Sequence, residues 1–296
     1  MGHISELTKS LNGYFGWNKA RITCFAKMLL ALISTRSINF SKIACVFASD
    51  AKKLSRYRRV QRFFSGFKID YDMIAGFIFG LFFVPNSPLY LTIDCTNWQW
   101  GKCDINILTL GIVYKGMAIP IFWMLLDKKG NSDTLERITL MQKFIARFGK
   151  DCIAGILADR EFIGTDWFGW LLSLKIPFYI RVKKNIWTTN SRGLAVKMNV
   201  LFYNLRPLSQ HVLYGKRKVM GHEMYLAALG MPDGELLIVA TSESPGNAIE
   251  IYGLRWEIEV FQSYCLHKTL VMFNRPFLLA NDRSIPWAVP LELVIA

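Results

Sequence analysis

Apolar residues in the first 84 positions recur every three or four residues, which is the spacing of one face of an α-helix. The clearest example runs from Ile22 to Ile33. A second helix is predicted to begin near Ser41, and a third is predicted around Val60. The pattern therefore predicts a helical domain over residues 1–84.

The pattern changes after residues 85–88, where two prolines end the helical periodicity. Runs of strand length then alternate with helical stretches in the order β-β-β-α-β-α-β. The predicted strands are 89–94, 105–114, 117–126, 152–158 and 178–182, and the predicted helices are 133–148 and 166–175. Asp133 can cap the first of these helices, and Glu136 can bond back to that cap.

Residues 183–244 show a different texture, in which short strand-like runs alternate with turns. The runs are 200–205, 212–213, 223–229 and 236–240. We predict that this stretch is a β-rich insertion. A helical pattern follows it and includes residues 252–259.

Composition excludes several classes of protein. The chain is 52% hydrophobic, so it can bury a sizeable core. Its longest apolar run, near residues 73–84, falls short of the roughly 20 residues that cross a bilayer, so we expect a buried helix and no membrane partner. The N-terminus lacks the apolar core of a secretion signal, and the six cysteines form no CxxC pair. These features predict a cytoplasmic protein with reduced thiols.

The formal net charge is +14, and most of it comes from the N-terminal part of the chain. Residues 1–68 contain 13 Lys and Arg against 2 Asp and Glu. On the third predicted helix, cations occupy the side opposite the apolar residues; they include Arg56, Arg58, Arg59 and Arg62. A solvated basic surface would explain the charge, but its local density favours a helix-turn-helix-like unit that contacts DNA phosphates.

Three acidic residues are placed where they could bind a metal ion. Asp94 and Asp159 each come at the end of a predicted buried strand, and Glu259 lies in the last predicted helix. A charge at the end of a buried strand is costly unless something pairs with it. If the three carboxylates converge, they form an oxygen-ligand set for Mg²⁺ or Mn²⁺.

The last predicted helix combines three functional side chains on one face. Arg255 and Glu259 come three and seven positions after Tyr252, which at roughly 100° per residue places all three together. An Arg can clamp a phosphate, and a Tyr can stack on a base or bond a phosphate. An ordinary surface salt-bridge cluster would have the same spacing.

These motifs together resemble the DDE transposases. The order of elements is similar to their ribonuclease-H-like core, and Tyr252-x-x-Arg255-x-x-x-Glu259 resembles the Y-R-E-K signature of the insertion-sequence branch with a β-rich insert. The stretches around the two aspartates also resemble that branch: Leu91-Thr92-Ile93-Asp94-x-Thr96-Asn97-Trp98 and Ala158-Asp159-Arg160-Glu161-Phe162. The resemblance runs from about residue 5 to residue 262.

The resemblance implies an α/β fold with a ribonuclease-H-like core, a β-rich insertion and an N-terminal helical DNA-binding domain. The implied domains are 1–84 (DNA binding), 85–182 (first part of the core), 183–244 (insertion), 245–268 (the helix with Glu259) and 269–296 (an atypical tail). It also implies metal-dependent strand cleavage and strand transfer at insertion-sequence ends. Asp94, Asp159 and Glu259 would hold two Mg²⁺ or Mn²⁺ ions.

The resemblance further implies the partners. Tyr252 and Arg255 would hold a distorted DNA strand, and the N-terminal helices with Arg56, Arg58, Arg59 and Arg62 would bind the terminal inverted repeats. Double-stranded DNA, as transposon ends and target, would be the partner of a homodimer in a synaptic complex. The protein would lie in a bacterial cytoplasm, associated with the nucleoid when bound.

The chain departs from the family pattern after Gln262. The signature's Lys is expected seven residues after Glu259, where Leu266 stands, and Lys268 falls on the opposite helix face. Three later prolines interrupt any long helix. We therefore expect a truncated or frameshifted copy. The alternatives are a catalytically inactive, DNA-binding transposase remnant and a metal-dependent nuclease of the same fold that performs no strand transfer.

Overall fold

The computed structural model describes residues 2–84, 87–100 and 103–256. These residues divide into a helical unit, 2–82, and a mixed α/β unit, 83–256. The predictions made for Glu259, Leu266 and residues 269–296 lie outside the described residues.

The helical unit is built from five helices: α1 (Gly2–Tyr14), α2 (Lys19–Thr35), α3 (Phe40–Val46), α4 (Lys53–Ser65) and α5 (Tyr71–Phe82). Asn18 caps α2 by accepting the Arg21 N–H at 2.9 Å. Phe25 of α2 stacks on Phe63 of α4 with 5.9 Å between ring centroids. The helices predicted over residues 22–33, from Ser41 and around Val60 are confirmed as α2, α3 and α4.

The apolar run near residues 73–84 corresponds to α5, where Ile74, Ala75 and Ile78 are buried. In the described part of the chain, no single helix is long and apolar enough to span a membrane. Among the helices of those described residues, only α2 and α3 taken together, across a bend of 101°, have the required length and composition.

The α/β unit contains one large mixed sheet of eight strands in the order β3-β2-β1-β4-β5-β10-β9-β8. Its strands are β1 (Leu89–Trp100), β2 (Cys103–Tyr114), β3 (Met117–Leu126), β4 (Ile153–Ala158), β5 (Phe178–Val182), β8 (Gln210–Val219), β9 (His222–Gly230) and β10 (Leu236–Thr241). β4 pairs in parallel with β1 and β5, and the other neighbours are antiparallel. A second sheet contains only β6 (Trp187–Thr189) and β7 (Ala195–Lys197).

The helices of this unit are α6 (Thr134–Phe148), α7 (Thr165–Ser173), α8 (Met198–Leu201) and α9 (Ala248–Gly253), with a 3₁₀ turn at Pro245–Asn247. The capping box predicted for α6 is confirmed. The Asp133 carboxylate accepts the Glu136 N–H, and the Glu136 carboxylate accepts the Asp133 N–H. α6 buries Leu140, Met141 and Phe144 and contacts β2 and β3.

The bounds predicted for β3 and β5 are confirmed, whereas β1 is longer than predicted. β1 continues beyond Asp94 to Trp100 because it remains paired with β2 in a hairpin that closes at Trp100 and Cys103. Asp94 therefore lies inside β1. It comes directly after Ile93, the last residue of β1 that pairs with β4.

One strand prediction in the insertion is wrong. Residues 200–205 form the end of the short helix α8 and the turns after it. The buried apolar residues here are Met198 and Phe202, and their spacing of four fits a helical turn. The two short strands β6 and β7 were not predicted, because each contains only three residues and shows little alternation.

Candidate active site

Asp94 and Asp159 occupy neighbouring positions on two parallel strands. Ile93 of β1 pairs with Ala158 of β4, and each aspartate is the next residue along the chain. Adjacent strands lie about 4.8 Å apart, so the two carboxylates share one edge of the β1–β4 pair. The structure thus brings together two of the three acids predicted from the sequence.

Each of these carboxylates bonds the backbone that follows it. Asp94 Oδ1 accepts the Cys95 N–H at 2.9 Å, and Asp159 Oδ1 accepts the Arg160 N–H at 2.7 Å. Both aspartates are half-buried. Such hydrogen bonds limit side-chain rotation, so the two groups are oriented by the chain itself.

Tyr252 and Arg255 are linked to Asp159. The Tyr252 hydroxyl donates towards Asp159 Oδ1 at 3.5 Å, and Arg255 Nε donates to the same hydroxyl at 3.0 Å. The Arg255 guanidinium also lies 5.6 Å from the centroid of the Tyr252 ring. Tyr252 is 1% exposed and Arg255 is 3% exposed, so neither side chain is presented to solvent.

The surroundings of Tyr252 raise the pKa of its phenol further above neutral pH. Burial raises the pKa of Tyr252 to about 12, with Arg255 acting in the opposite direction and the Asp159 charge adding to the rise. The hydroxyl can therefore donate to the carboxylate while it accepts from Arg255. A second cation, Arg181 of β5, places Nη1 3.9 Å from Asp159 Oδ1.

Arg137 of α6 holds the loop that follows Asp159, and it was not among the predicted site residues. Its Nη2 donates to the Glu161 carbonyl at 3.0 Å, and its Nε donates to Ser132 Oγ at 2.9 Å. The guanidinium lies 4.9 Å from the centroid of the Phe162 ring. Burial lowers the pKa of Arg137, which is only 4% exposed.

The position of Arg137 could have been read from the sequence. It precedes Leu140, Met141 and Phe144 at helical spacing, so it lies on the apolar face of α6. A cation on such a face needs buried acceptors, and here the loop after β4 supplies them.

Glu161 adds a third carboxylate to this region. It is half-buried, and burial, followed by the Asp159 charge, raises the pKa of Glu161, while Arg137, Arg255 and the Cys95 N–H act to lower it. Asp94, Asp159 and Glu161 all offer hard oxygen donors, which suit Mg²⁺ or Mn²⁺ better than a soft metal. Within the described residues, however, no group of three or more His, Cys, Asp or Glu could hold a metal ion. Glu259, the third predicted ligand, lies outside them.

The predicted DNA-contacting arginines of the helical unit differ in their surroundings. Arg56 is half-buried, and its Nη1 donates to the carbonyls of Cys45 and Phe47 at 3.2 Å and 3.1 Å, so it stabilises the end of α3. Arg58, Arg59 and Arg62 are exposed. These three arginines remain available for contacts with an anionic partner.

Comparison with known proteins identifies one family. The model described as "Transposase DDE domain" matches residues 95–268, which is more than half of the chain and begins directly after Asp94. No curated protein matches the sequence.

Solved structures that are similar to the chain include two large assemblies. A piggyBac transposase synaptic complex with hairpin DNA is 14% identical, with a TM-score of 0.48 over 90% of this chain and 66% of that chain. The chain thus spans slightly less than two thirds of that relative. A simian T-cell lymphotropic virus intasome in complex with the PP2A regulatory subunit B56 gamma is 10% identical, with a TM-score of 0.28 over 54% of this chain and 79% of that chain.

Proposed function

The chain belongs to the transposase DDE domain family, and we propose that it catalyses metal-dependent cleavage and strand transfer of DNA at the ends of an insertion sequence. The observation that carries this proposal is the pairing of Ile93 with Ala158, which makes Asp94 and Asp159 neighbours where the β1–β4 pairing ends.

We propose that strands β1 to β5 form a ribonuclease-H-like core. The order β3-β2-β1-β4-β5, with an antiparallel β1–β2–β3 meander and parallel β1, β4 and β5, supports this proposal. On the same proposal, residues 183–244 are an insertion whose strands β8 to β10 extend the sheet beyond β5. Residues 1–84 would be the DNA-binding domain.

Asp94 and Asp159, together with Glu259, would hold the divalent ions, which we propose to be two Mg²⁺ or Mn²⁺. Their hard oxygen donors fit such ions. When bound, the metal supplies Lewis-acid stabilisation of the phosphodiester oxygens and an activated water. No protein nucleophile is required.

The described side chains around Asp159 would orient it. Arg255 fixes the Tyr252 hydroxyl, the hydroxyl holds Asp159 Oδ1, and Arg137 holds the loop that begins at Asp159. A direct contact of Tyr252 or Arg255 with a DNA strand, as the family resemblance implies, would require each to leave its buried position. Their burial therefore supports a role in positioning Asp159 before DNA binds.

DNA is the proposed partner, and Arg58, Arg59 and Arg62 are proposed phosphate contacts in the helical unit. Arg56 is proposed to support α3 instead. Assembly of a homodimer on two transposon ends is part of the same proposal.

Cleavage of a duplex that carries the ends of the encoding element tests the proposal. We expect nicking at the element boundary with Mg²⁺ and none with EDTA, while DNA binding persists in both. Specific binding without cleavage in Mg²⁺ or Mn²⁺ would favour the inactive remnant. Cleavage that continues in EDTA would contradict the metal-dependent site.

A further inference from the structure

A second basic segment lies between β5 and β9, separate in sequence from the helical unit. Residues 183–219 contain eight Lys and Arg and no Asp or Glu, in a chain with a net charge of +14. Surfaces normally mix both signs, so a stretch that carries only positive charge attracts an anionic partner. We call residues 183–219 the acid-free segment.

Most cations of the acid-free segment face solvent. Seven of the eight are exposed: Lys183, Lys184, Arg192, Lys197, Arg206, Lys216 and Lys218. The eighth, Arg217, is half-buried, and its Nη1 donates to the carbonyls of Gly215 and Lys216. Among the described residues, the only ion pair of these cations joins Lys184 to Glu235, 3.9 Å apart. The segment therefore carries positive charge that the described part of the chain barely neutralises.

An open groove of about 520 Å³ lies where β6 is beside β8, and residues 186–189 and Lys218 of the acid-free segment form most of its lining. The Lys218 N–H donates to Thr189 Oγ1 at 3.1 Å and joins the two strands. Trp187 and Lys218 line the groove, and Trp187 is 61% exposed. Lys197 pairs with Trp187 across the small sheet and places Nζ 5.9 Å from the centroid of its ring.

This combination favours a nucleic acid strand over other anionic partners. The cations are distributed along the segment rather than gathered in one pocket, as a repeating phosphate backbone requires. The exposed Trp187 ring offers an apolar surface beside two of the cations, which suits the sugar or base that accompanies each phosphate. Tyr203 and Tyr214, 78% and 74% exposed, add further aromatic surface to the segment.

We propose that the acid-free segment is a second DNA-contacting surface, in which Lys197 and Lys218 bind phosphates beside the groove of Trp187. Lys216, whose Nζ lies 5.3 Å from the centroid of the Tyr225 ring, would bind a phosphate further along β8. This inference rests on the proposed function, because it assumes that DNA is the partner. It adds contacts within the α/β unit, independent of those proposed for Arg58, Arg59 and Arg62.

The test compares two triple variants of the full chain by fluorescence anisotropy with a labelled duplex. Lys197, Lys216 and Lys218 are replaced by Gln in one, and the exposed α6-region cations Lys143, Arg147 and Lys150 are replaced by Gln in the other. Both lose the same charge. Measurements in EDTA over a range of salt concentrations make binding independent of cleavage.

We expect the first variant to reduce the slope of log affinity against log salt by about 2.7, since each lost phosphate contact contributes roughly 0.9. The control should keep the wild-type slope. Trp187→Ala should weaken binding without changing the slope, because it removes no charge. Equal slopes for both triple variants would overturn the proposal. Binding to anionic lipid vesicles is measured in parallel. If the first variant loses vesicle binding but keeps wild-type binding to DNA, the proposal is also overturned.

The outcomes separate this inference from the proposed function. If the wild-type protein binds DNA through the acid-free segment but never cleaves it, the proposed function is wrong and the proposed DNA-contacting surface still stands. A Lys197, Lys216 and Lys218 variant that binds and cleaves like the wild type would refute the surface and leave the proposed function intact.

Discussion

The Tyr252 hydroxyl lies 3.5 Å from Asp159 Oδ1, although the two residues are 93 positions apart in the sequence. Arg255 donates to the same hydroxyl, so a buried chain of polar groups leads from the end of α9 to the end of β4. A buried network of this kind specifies one arrangement when each member is satisfied. The orientation of Asp159 therefore depends on Tyr252 of α9, a helix near the C-terminal end of the described α/β unit.

Tyr252→Phe removes the hydroxyl that joins Arg255 to Asp159. We expect a loss of about 1–2 kcal/mol in the free energy of unfolding, because Arg255 Nε loses this buried acceptor. The rate at which the protein cleaves a duplex carrying the element's ends should also fall. Chemical denaturation followed by fluorescence measures the first effect, and a gel-based cleavage assay measures the second.

Tyr179→Phe is the matched control, because Tyr179 packs in the same apolar cluster as Tyr252 and its hydroxyl bonds no described residue. It should change both quantities much less. If the two variants behave alike, the hydroxyl of Tyr252 has no special role.

Arg137→Met tests the loop that follows Asp159. The variant leaves the carbonyls of Glu161 and Ser132 without their guanidinium donor, so we expect destabilisation of about 3 kcal/mol. Urea denaturation gives the value. Arg147→Met, an exposed change near the end of the same helix, should shift stability by no more than about 0.5 kcal/mol. A comparable effect of the two changes would contradict the role given to Arg137.

Asp133→Ala removes the cap of α6 and should cost about 1 kcal/mol at neutral pH. The Glu136 N–H, followed by Lys128, lowers the pKa of Asp133 below its ordinary value of 3.8. A carboxyl with a lowered folded-state pKa contributes stability above the unfolded-state pKa and loses it as the pH falls through the folded-state pKa. The difference between wild type and variant should therefore shrink as the pH drops below 3.8.

Thermal unfolding at several pH values measures this dependence. Asp151→Ala, an exposed change in the turn after α6, serves as the control and should show little difference at any pH. A constant difference for Asp133→Ala from neutral to acid pH would mean that the charge of the cap makes no contribution.

The sequence predicted what local patterns encode. The bounds of β3 and β5, the capping box of α6 and the position of Asp159 directly after β4 all follow from alternation, caps and turn residues within a short window. β1 was underestimated because its extension beyond Asp94 depends on pairing with β2. Hydrophobic pattern alone cannot show a partner strand.

The contacts that surround Asp159 could not be predicted in the same way. Helical spacing groups Tyr252 with Arg255, but it does not indicate that both are buried or that Tyr252 reaches Asp159. Helical spacing places Arg56 on the apolar face of α4, four and seven residues before the buried Val60 and Phe63. It does not show that Arg56 donates to the carbonyls of Cys45 and Phe47 at the end of α3.

Replacing Arg58, Arg59 and Arg62 by Gln should weaken DNA binding and reduce its salt dependence without lowering stability, because all three side chains are exposed. Arg56→Gln should instead lower the unfolding temperature, since two carbonyls lose their donor. It should change the salt dependence of DNA binding little. Anisotropy titrations and thermal scans on the same samples separate the two. If Arg56→Gln lowers the salt slope by as much as each of the other three substitutions does on average, Arg56 also contacts DNA and does not differ from the other arginines.

Asp94 and Asp159 are proposed to act together in metal-dependent DNA cleavage. The decisive measurement is single-turnover cleavage, by Asp94→Asn, of a duplex that carries the element's ends. Asp127→Asn, an exposed aspartate after β3, is the matched control. We expect Asp94→Asn to lose cleavage in Mg²⁺ by about 1000-fold or more, to keep its affinity for the same duplex in EDTA, and to remain folded. If Asp94→Asn cleaves at the rate of Asp127→Asn, Asp94 has no part in the reaction and the proposed site is wrong.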